Sequence, residues 1–144
     1  MASWERLRNK IVEKLQSVNS IAEVEEYPTN EMTGYPCAML ETVRNESEFE
    51  STTQNRRTYV FNIYIVQEIE SAGGMKQARR IIQSAIDDVL DVFDRDQTLE
   101  GVEMPDNEVL IITIPALSRI YTDAEAKNVV GLVELKVVTS FSIR

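Results

Sequence analysis

The chain has 144 residues, 43% of them apolar and 27% charged, with a net charge of −9. A domain of this size buries about two-thirds of its unfolded surface, and no apolar run approaches the ~20 residues needed to cross a bilayer. The lack of histidine and the single cysteine, Cys37, exclude Ser-His-Asp and Cys-His catalysis, zinc sites built on Cys and His and an internal disulfide.

The charge balance also argues against binding nucleic acid through the general surface, because such affinity comes mainly from Lys and Arg neutralising phosphates. The basic pairs Arg56-Arg57 and Arg79-Arg80 do not extend into a patch. The first residues lack the apolar stretch of a secretory signal, so the expectation is a protein made and used without export through a membrane.

The first predicted element is a helix over residues 4–18. Trp4, Leu7, Ile11, Leu15 and Val18 recur at three- and four-residue steps and share one face. Ser3 is a candidate N-cap, and Glu5 suits the first turn. Residues 21–27 alternate loosely and predict a short strand with Val24 inward, ended by Pro28. A loop over 29–34 leads to a strand over 35–43, with Pro36 near its start, where a missing N–H does least harm. Cys37 in that strand reads as a small buried hydrophobe, since a reactive thiolate wants positive charge nearby.

Residues 44–57 turn polar and lie where the flanking strands would form the tip of a hairpin. The segment is too poor in apolar residues to order itself by burial and too long for a tight turn. Two readings stand: a mobile surface loop, or an arm that orders on a neighbouring subunit with Phe49 as its anchor. The candidate contact residues are Glu46, Glu48, Phe49, Glu50, Arg56 and Arg57.

Residues 58–69 predict the central strand. Tyr59, Phe61, Ile63 and Ile65 point one way and Val60, Asn62, Tyr64 and Val66 the other. A strand apolar on both faces wants cover on both; helices can supply one cover and a partner subunit the other. Gly73-Gly74 breaks the chain before a helix over 75–93, whose stripe of Ala78, Ile81, Ile82, Ala85, Ile86, Val89, Leu90 and Phe93 faces a core. Asp87, Asp91 and Asp94 fall on its wet side. A strand over 109–114 is closed by Pro115, a shorter one spans 118–121, and a polar turn precedes the last strand over 129–143. There Val133, Leu135, Val137, Phe141 and Ile143 share one face. The element order predicts one α+β domain over 1–144. Its mixed, mostly antiparallel sheet is packed by the N-terminal and central amphipathic helices.

Little in the chain carries chemistry. Gly73-Gly74 is not followed by the Gly-Lys-Ser/Thr of a phosphate loop. Asp94-Arg95-Asp96 has the opening spacing of a calcium loop, but Gly101 comes two residues late and Pro105 stands where the closing Glu belongs. Carboxylate pairs could run acid–base chemistry, yet nothing singles one out. No catalytic, cofactor-binding or metal-ligating residue is assigned.

Several features together resemble the tail terminator, or tail-to-head joining, proteins of long-tailed bacteriophages. These are the helix from Trp4 to Val18; the strand opening Tyr35-Pro36-Cys37-Ala38; the polar arm; the run Arg57-x-Tyr59-x-Phe61-x-Ile63-x-Ile65; the helix ending Asp88-Val89-Leu90-Asp91-Val92-Phe93; and the closing strand from Gly131 to Ile143. The resemblance spans nearly the whole chain and rests on order and length. It implies a homo-oligomeric ring of six copies that caps the tail tube, stops its growth and joins it to the head connector or stopper protein. DNA would pass through the channel without specific binding, and the protein would sit in the virion tail or neck after assembly in the host cytoplasm, with no cofactor and no membrane. Sheet edges and the polar arm would do the assembling. Two other readings remain: another neck component, such as a head-completion or connector-adaptor protein, and a small enzyme using a carboxylate-held metal.

Overall fold

The computed structural model describes residues 3–49, 54–105 and 107–142. In chain order these form α1 (Ser3–Gln16), β1 (Glu23–Glu25), β2 (Cys37–Phe49), β3 (Gln54–Glu68), α2 (Ile69–Ala72), α3 (Met75–Arg95), β4 (Glu108–Thr122) and β5 (Asn128–Ser142). The sheet order is β1-β2-β3-β5-β4. β1 runs parallel to β2, and every other pairing is antiparallel. The expected α+β class and mostly antiparallel sheet hold.

Both long helices lie on one face of the sheet. α3 buries Ala78, Ile82, Ala85, Ile86, Val89 and Phe93, while α1 buries Leu7, Ile11, Val12 and Leu15. They meet Tyr59, Phe61, Ile63 and Ile65 of β3 and Val133, Leu135 and Val137 of β5 in one apolar cluster, as the alternation of those strands predicts. Trp4 packs edge-on against Tyr59 and Phe61, with ring centroids 5.0 and 5.2 Å away, a favoured geometry for aromatic pairs. α3 comes so close to β5 at Gly131 that a Cβ there would sit 2.8 Å from Ile86 Cδ1 and 2.9 Å from Ile82 Cγ2.

The helix-free face is treated differently along its length. At one end Cys37, Met39, Val66 and Val130 form a second small cluster with Met32, Tyr35, Tyr64 and Tyr121. The segment 28–36, which includes a cis Tyr35–Pro36 bond, therefore supplies part of the cover that was expected from a partner. Glu23 pins this segment by accepting the Thr33 and Gly34 N–H groups, each at 2.9 Å. Those two donors, Gly34 foremost, hold its carboxyl below the ordinary range.

Several predicted boundaries need correction. The short strand over 21–27 contracts to Glu23–Glu25, and the strand over 35–43 begins at Cys37 and continues to Phe49. The two strands over 109–114 and 118–121 are one, β4, with Pro115 inside it. Proline survives there because β4 is an edge strand and because its register with β5 slips beside it, between Pro115 and Leu117. Ser3 lies within α1, and its hydroxyl donates across the fold to Glu108. Ile143 lies outside the described residues.

One ionic cluster ties α1 to the loop after α3. Lys14 Nζ lies 2.6 Å from Asp96 and 2.7 Å from Glu100. Burial works against the Lys14 charge, but the two carboxylates outweigh it and raise its pKa above the lysine norm. Burial likewise opposes ionised Asp96, and Lys14 with the Glu100 N–H overcomes it and lowers the carboxyl; Lys14 also lowers Glu100.

Two outcomes follow. Gly131→Ala should cost about 1–3 kcal/mol through overpacking against Ile82 and Ile86, read as a lower urea midpoint at an unchanged slope. Lys14→Met should cost on the order of 1 kcal/mol at neutral pH. With both carboxyls depressed, their contribution is full above about pH 5, past the unfolded values, and is lost as pH falls through the lower folded values. The gap in melting temperature between wild type and Lys14→Met should therefore close in acid, and a gap that persists there would show a packing effect instead.

Candidate assembly surfaces

The described parts of the polar arm, 44–49 and 54–57, are paired strands, and its residues 50–53 lie outside the described residues. Residues 44–49 of β2 stand opposite residues 55–60 of β3, from Arg44↔Val60 to Phe49↔Asn55, and residues 54–58 pair on their other side with Ser142 to Val138 of β5. Neither the loop nor the arm reading foresaw this order. Burial was the wrong criterion: residues 54–58 satisfy their backbone through ladders on both sides and residues 44–49 through the ladder with β3, and neither needs much apolar content to do so.

The six candidate contact residues do not gather on one surface. Strand alternation puts Glu46, Glu48 and Arg56 on the helix-free face and Arg57 on the other. Glu46 is exposed and accepts Arg44 Nε at 2.7 Å, which holds its carboxyl below the usual range. Glu48 stands directly opposite Arg56. Arg57 is half-buried, its guanidinium 4.4 Å from the centroid of the Phe141 ring. Phe49 is placed by its backbone only, and Glu50 lies outside the described residues.

Sequence reasoning missed a second surface. β4 is an edge strand, and Val109, Ile111, Ile114 and Leu117 along it are 66%, 46%, 41% and 54% exposed. The signal was present in the sequence: residues 109–118 hold no charge, in a chain where one residue in four is charged. Sequence reading assigned that run no face, and the register slips around Ile111 and Ala116 turn several of its side chains away from the helices. The edge is also partly guarded, since Thr113 N–H donates to Gln97 O at 2.8 Å; bulges and proline are further common edge protection.

The acidic residues considered for chemistry are engaged structurally. Glu108 is 6% exposed and accepts the hydroxyls of Ser3, Tyr59 (2.6 Å) and Thr139 (2.7 Å), joining α1, β3, β5 and β4. Burial, then Glu108, pushes the Tyr59 phenol up. Asp96 of the calcium-like spacing is paired with Lys14. Among the described residues no group of three or more Cys, Asp or Glu is placed to hold a metal ion. An open groove of about 610 Å³ on the helix-free face is lined by Met32, Met39, Tyr64 and Tyr121 with two carboxylates. One of these, Glu41, accepts Tyr64 OH at 2.9 Å and Asn62 Nδ2 at 3.2 Å. The other, Asp123, caps the β4–β5 turn through Asn128 and the Lys127 N–H.

Cys37 is fully buried. Burial, with Glu23 and Glu25 adding to it, pushes its thiol up to about 12. The nucleophile is the thiolate, so Ellman's reagent should leave the folded protein unlabelled at pH 8 and label one thiol per chain in denaturant. Rapid labelling of the native protein would contradict this placement.

No protein-family model matches the chain, and no curated protein matches it. Among solved structures, a chain of the virion of a native gene transfer agent particle matches with a TM-score of 0.50 and 11% identity, over 98% of this chain and 92% of that chain. At that identity the likeness is one of fold, and it runs the length of both chains.

Proposed function

We propose that this protein is a structural component of a phage-like virion. More specifically, it is the tail terminator: a ring, six copies by resemblance, that caps the tail tube, ends its growth and joins it to the head connector or stopper. The observation that carries the reading is the end-to-end fold likeness to a chain of a gene transfer agent virion. The element order and the run Arg57-x-Tyr59-x-Phe61-x-Ile63-x-Ile65 support it. So does the exposed apolar strip on β4, because apolar surface rimmed by polar residues commonly marks a protein contact.

The electrostatics fit the role. With a net charge of −9 per copy, a ring sets up a field that repels phosphate, which suits a conduit through which DNA must slide. The engagement of Glu108, Asp96, Asp123 and Glu41 within the fold speaks against a carboxylate-metal enzyme.

Depletion of the protein from a producing strain, followed by electron microscopy, tests the terminator role. Overlong or unjoined tails are expected. Free tails of normal length beside leaking heads would assign the protein to the head side of the neck instead. Intact particles would remove it from the joint altogether.

A further inference from the structure

The sheet leaves two edges open. On one side β1 covers only Cys37 to Met39 of β2, so among the described residues the outer edge of β2 is unpaired from 40 to 49. On the other side β4 is the last strand and carries the uncharged run 109–118. The open stretch of β2 is ten residues long, roughly 33 Å at the rise of a strand, and the uncharged run within the 15-residue edge of β4 has the same length.

The four long strands alternate in direction, so β2 and β4 run opposite ways. A second copy brought alongside in the same orientation sets its β2 antiparallel to β4 of the first, the relation of every other long pair. The strand registers also place the two edges row by row. Arg44, Val60, Lys136 and Ile114 share one row, and Glu48, Arg56, Ser140 and Val109 another. With no stagger between copies, the arm of the second copy lies along the β4 strip of the first. Arg44 of the second copy then falls opposite Ile114 and Glu48 opposite Val109, with Val43, which is 40% exposed at the register slip between Thr42 and Arg44, next to the Ile114 row.

We propose that the apolar strip of β4 (Val109, Ile111, Ile114, Leu117) is covered by the outer edge of the β2 arm of a second copy of this chain, around Val43. The contact is heterologous: each copy gives an arm on one side and a strip on the other. Repetition of such a contact closes a ring when the rotation permits. The slips around Ile111 and Ala116, Pro115 and the bond from Thr113 to Gln97 interrupt a continuous ladder, so side-chain burial carries the contact. The inference rests on the ring reading above and names the two surfaces that build it.

Two variants test it: a strip variant, Ile114→Asp with Leu117→Asp, and an arm variant, Val43→Asp with Arg44→Asp. All four positions are exposed, so circular dichroism and the melting temperature should match wild type. Light scattering after size exclusion should show wild type assembling and each variant monomeric. An equimolar mixture should give a dimer and nothing larger, because it pairs the intact arm of the strip variant with the intact strip of the arm variant. If the arm variant assembles as wild type does, the strip meets another surface and the proposal fails. Failure also follows if the mixture stays monomeric while wild type forms rings, and the ring reading then survives. A wild type that is monomeric both in solution and on isolated tails overturns the ring reading and this inference together.

Discussion

Two long helices cover one face of the sheet, and that one-sidedness governs the rest of the molecule. The covered face solves its own burial problem with Tyr59, Phe61, Ile63 and Ile65 under α1 and α3. The other face has no helix, and the chain meets the deficit in three ways. Segment 28–36 closes over Met39 and Val66. In the middle a polar trio, Glu41, Asn62 and Tyr64, satisfies itself by hydrogen bonds. Toward β4 the face stays apolar and uncovered. Only the third solution leaves surface free energy that association can recover.

The parts of this fold that were legible in the sequence are those where periodicity and burial coincide. The stripes of α1 and α3 and the inner faces of β3 and β5 fall into this class, since a side chain that must be dry imposes a period of 3.6 or 2. What escaped was order that does not come from burial. Residues 44–48 and 54–58 pair through backbone groups, which composition does not report. β4 was split at Pro115 because a proline normally ends a strand, and only the edge position, a property of the whole sheet, excuses it. Glu108 sat at a predicted strand boundary with nothing to mark it. Its three hydroxyl partners come from residues 31, 49 and 105 positions away, beyond the reach of any local pattern. The candidate contact residues escaped for the same reason: the polar segment is plain in the sequence, but the two faces that separate Arg57 from Glu46 appear only once the register is known.

An acidic chain without histidine invites the reading of a poor chemist with many spare charges. Few of its informative charges are spare. Glu108 accepts three hydroxyls, Glu23 two backbone N–H groups, and Asp96 and Glu100 share Lys14. Buried or half-buried charges are tolerated when each finds partners, and here those partners lie on different elements. The carboxylates thus act as joints between α1, the sheet and the loops, while the excess of acidic over basic residues sets the overall negative field.

Cys37 brings a practical dividend. Its sulfur is sealed beneath the 28–36 segment and stays protonated at any working pH. A second cysteine introduced anywhere on the exterior would then be the sole accessible handle, and fluorophores or spin labels could be attached at a chosen spot without first stripping out the native thiol. Distances between protomers could be read by energy transfer or dipolar spectroscopy on otherwise unaltered material.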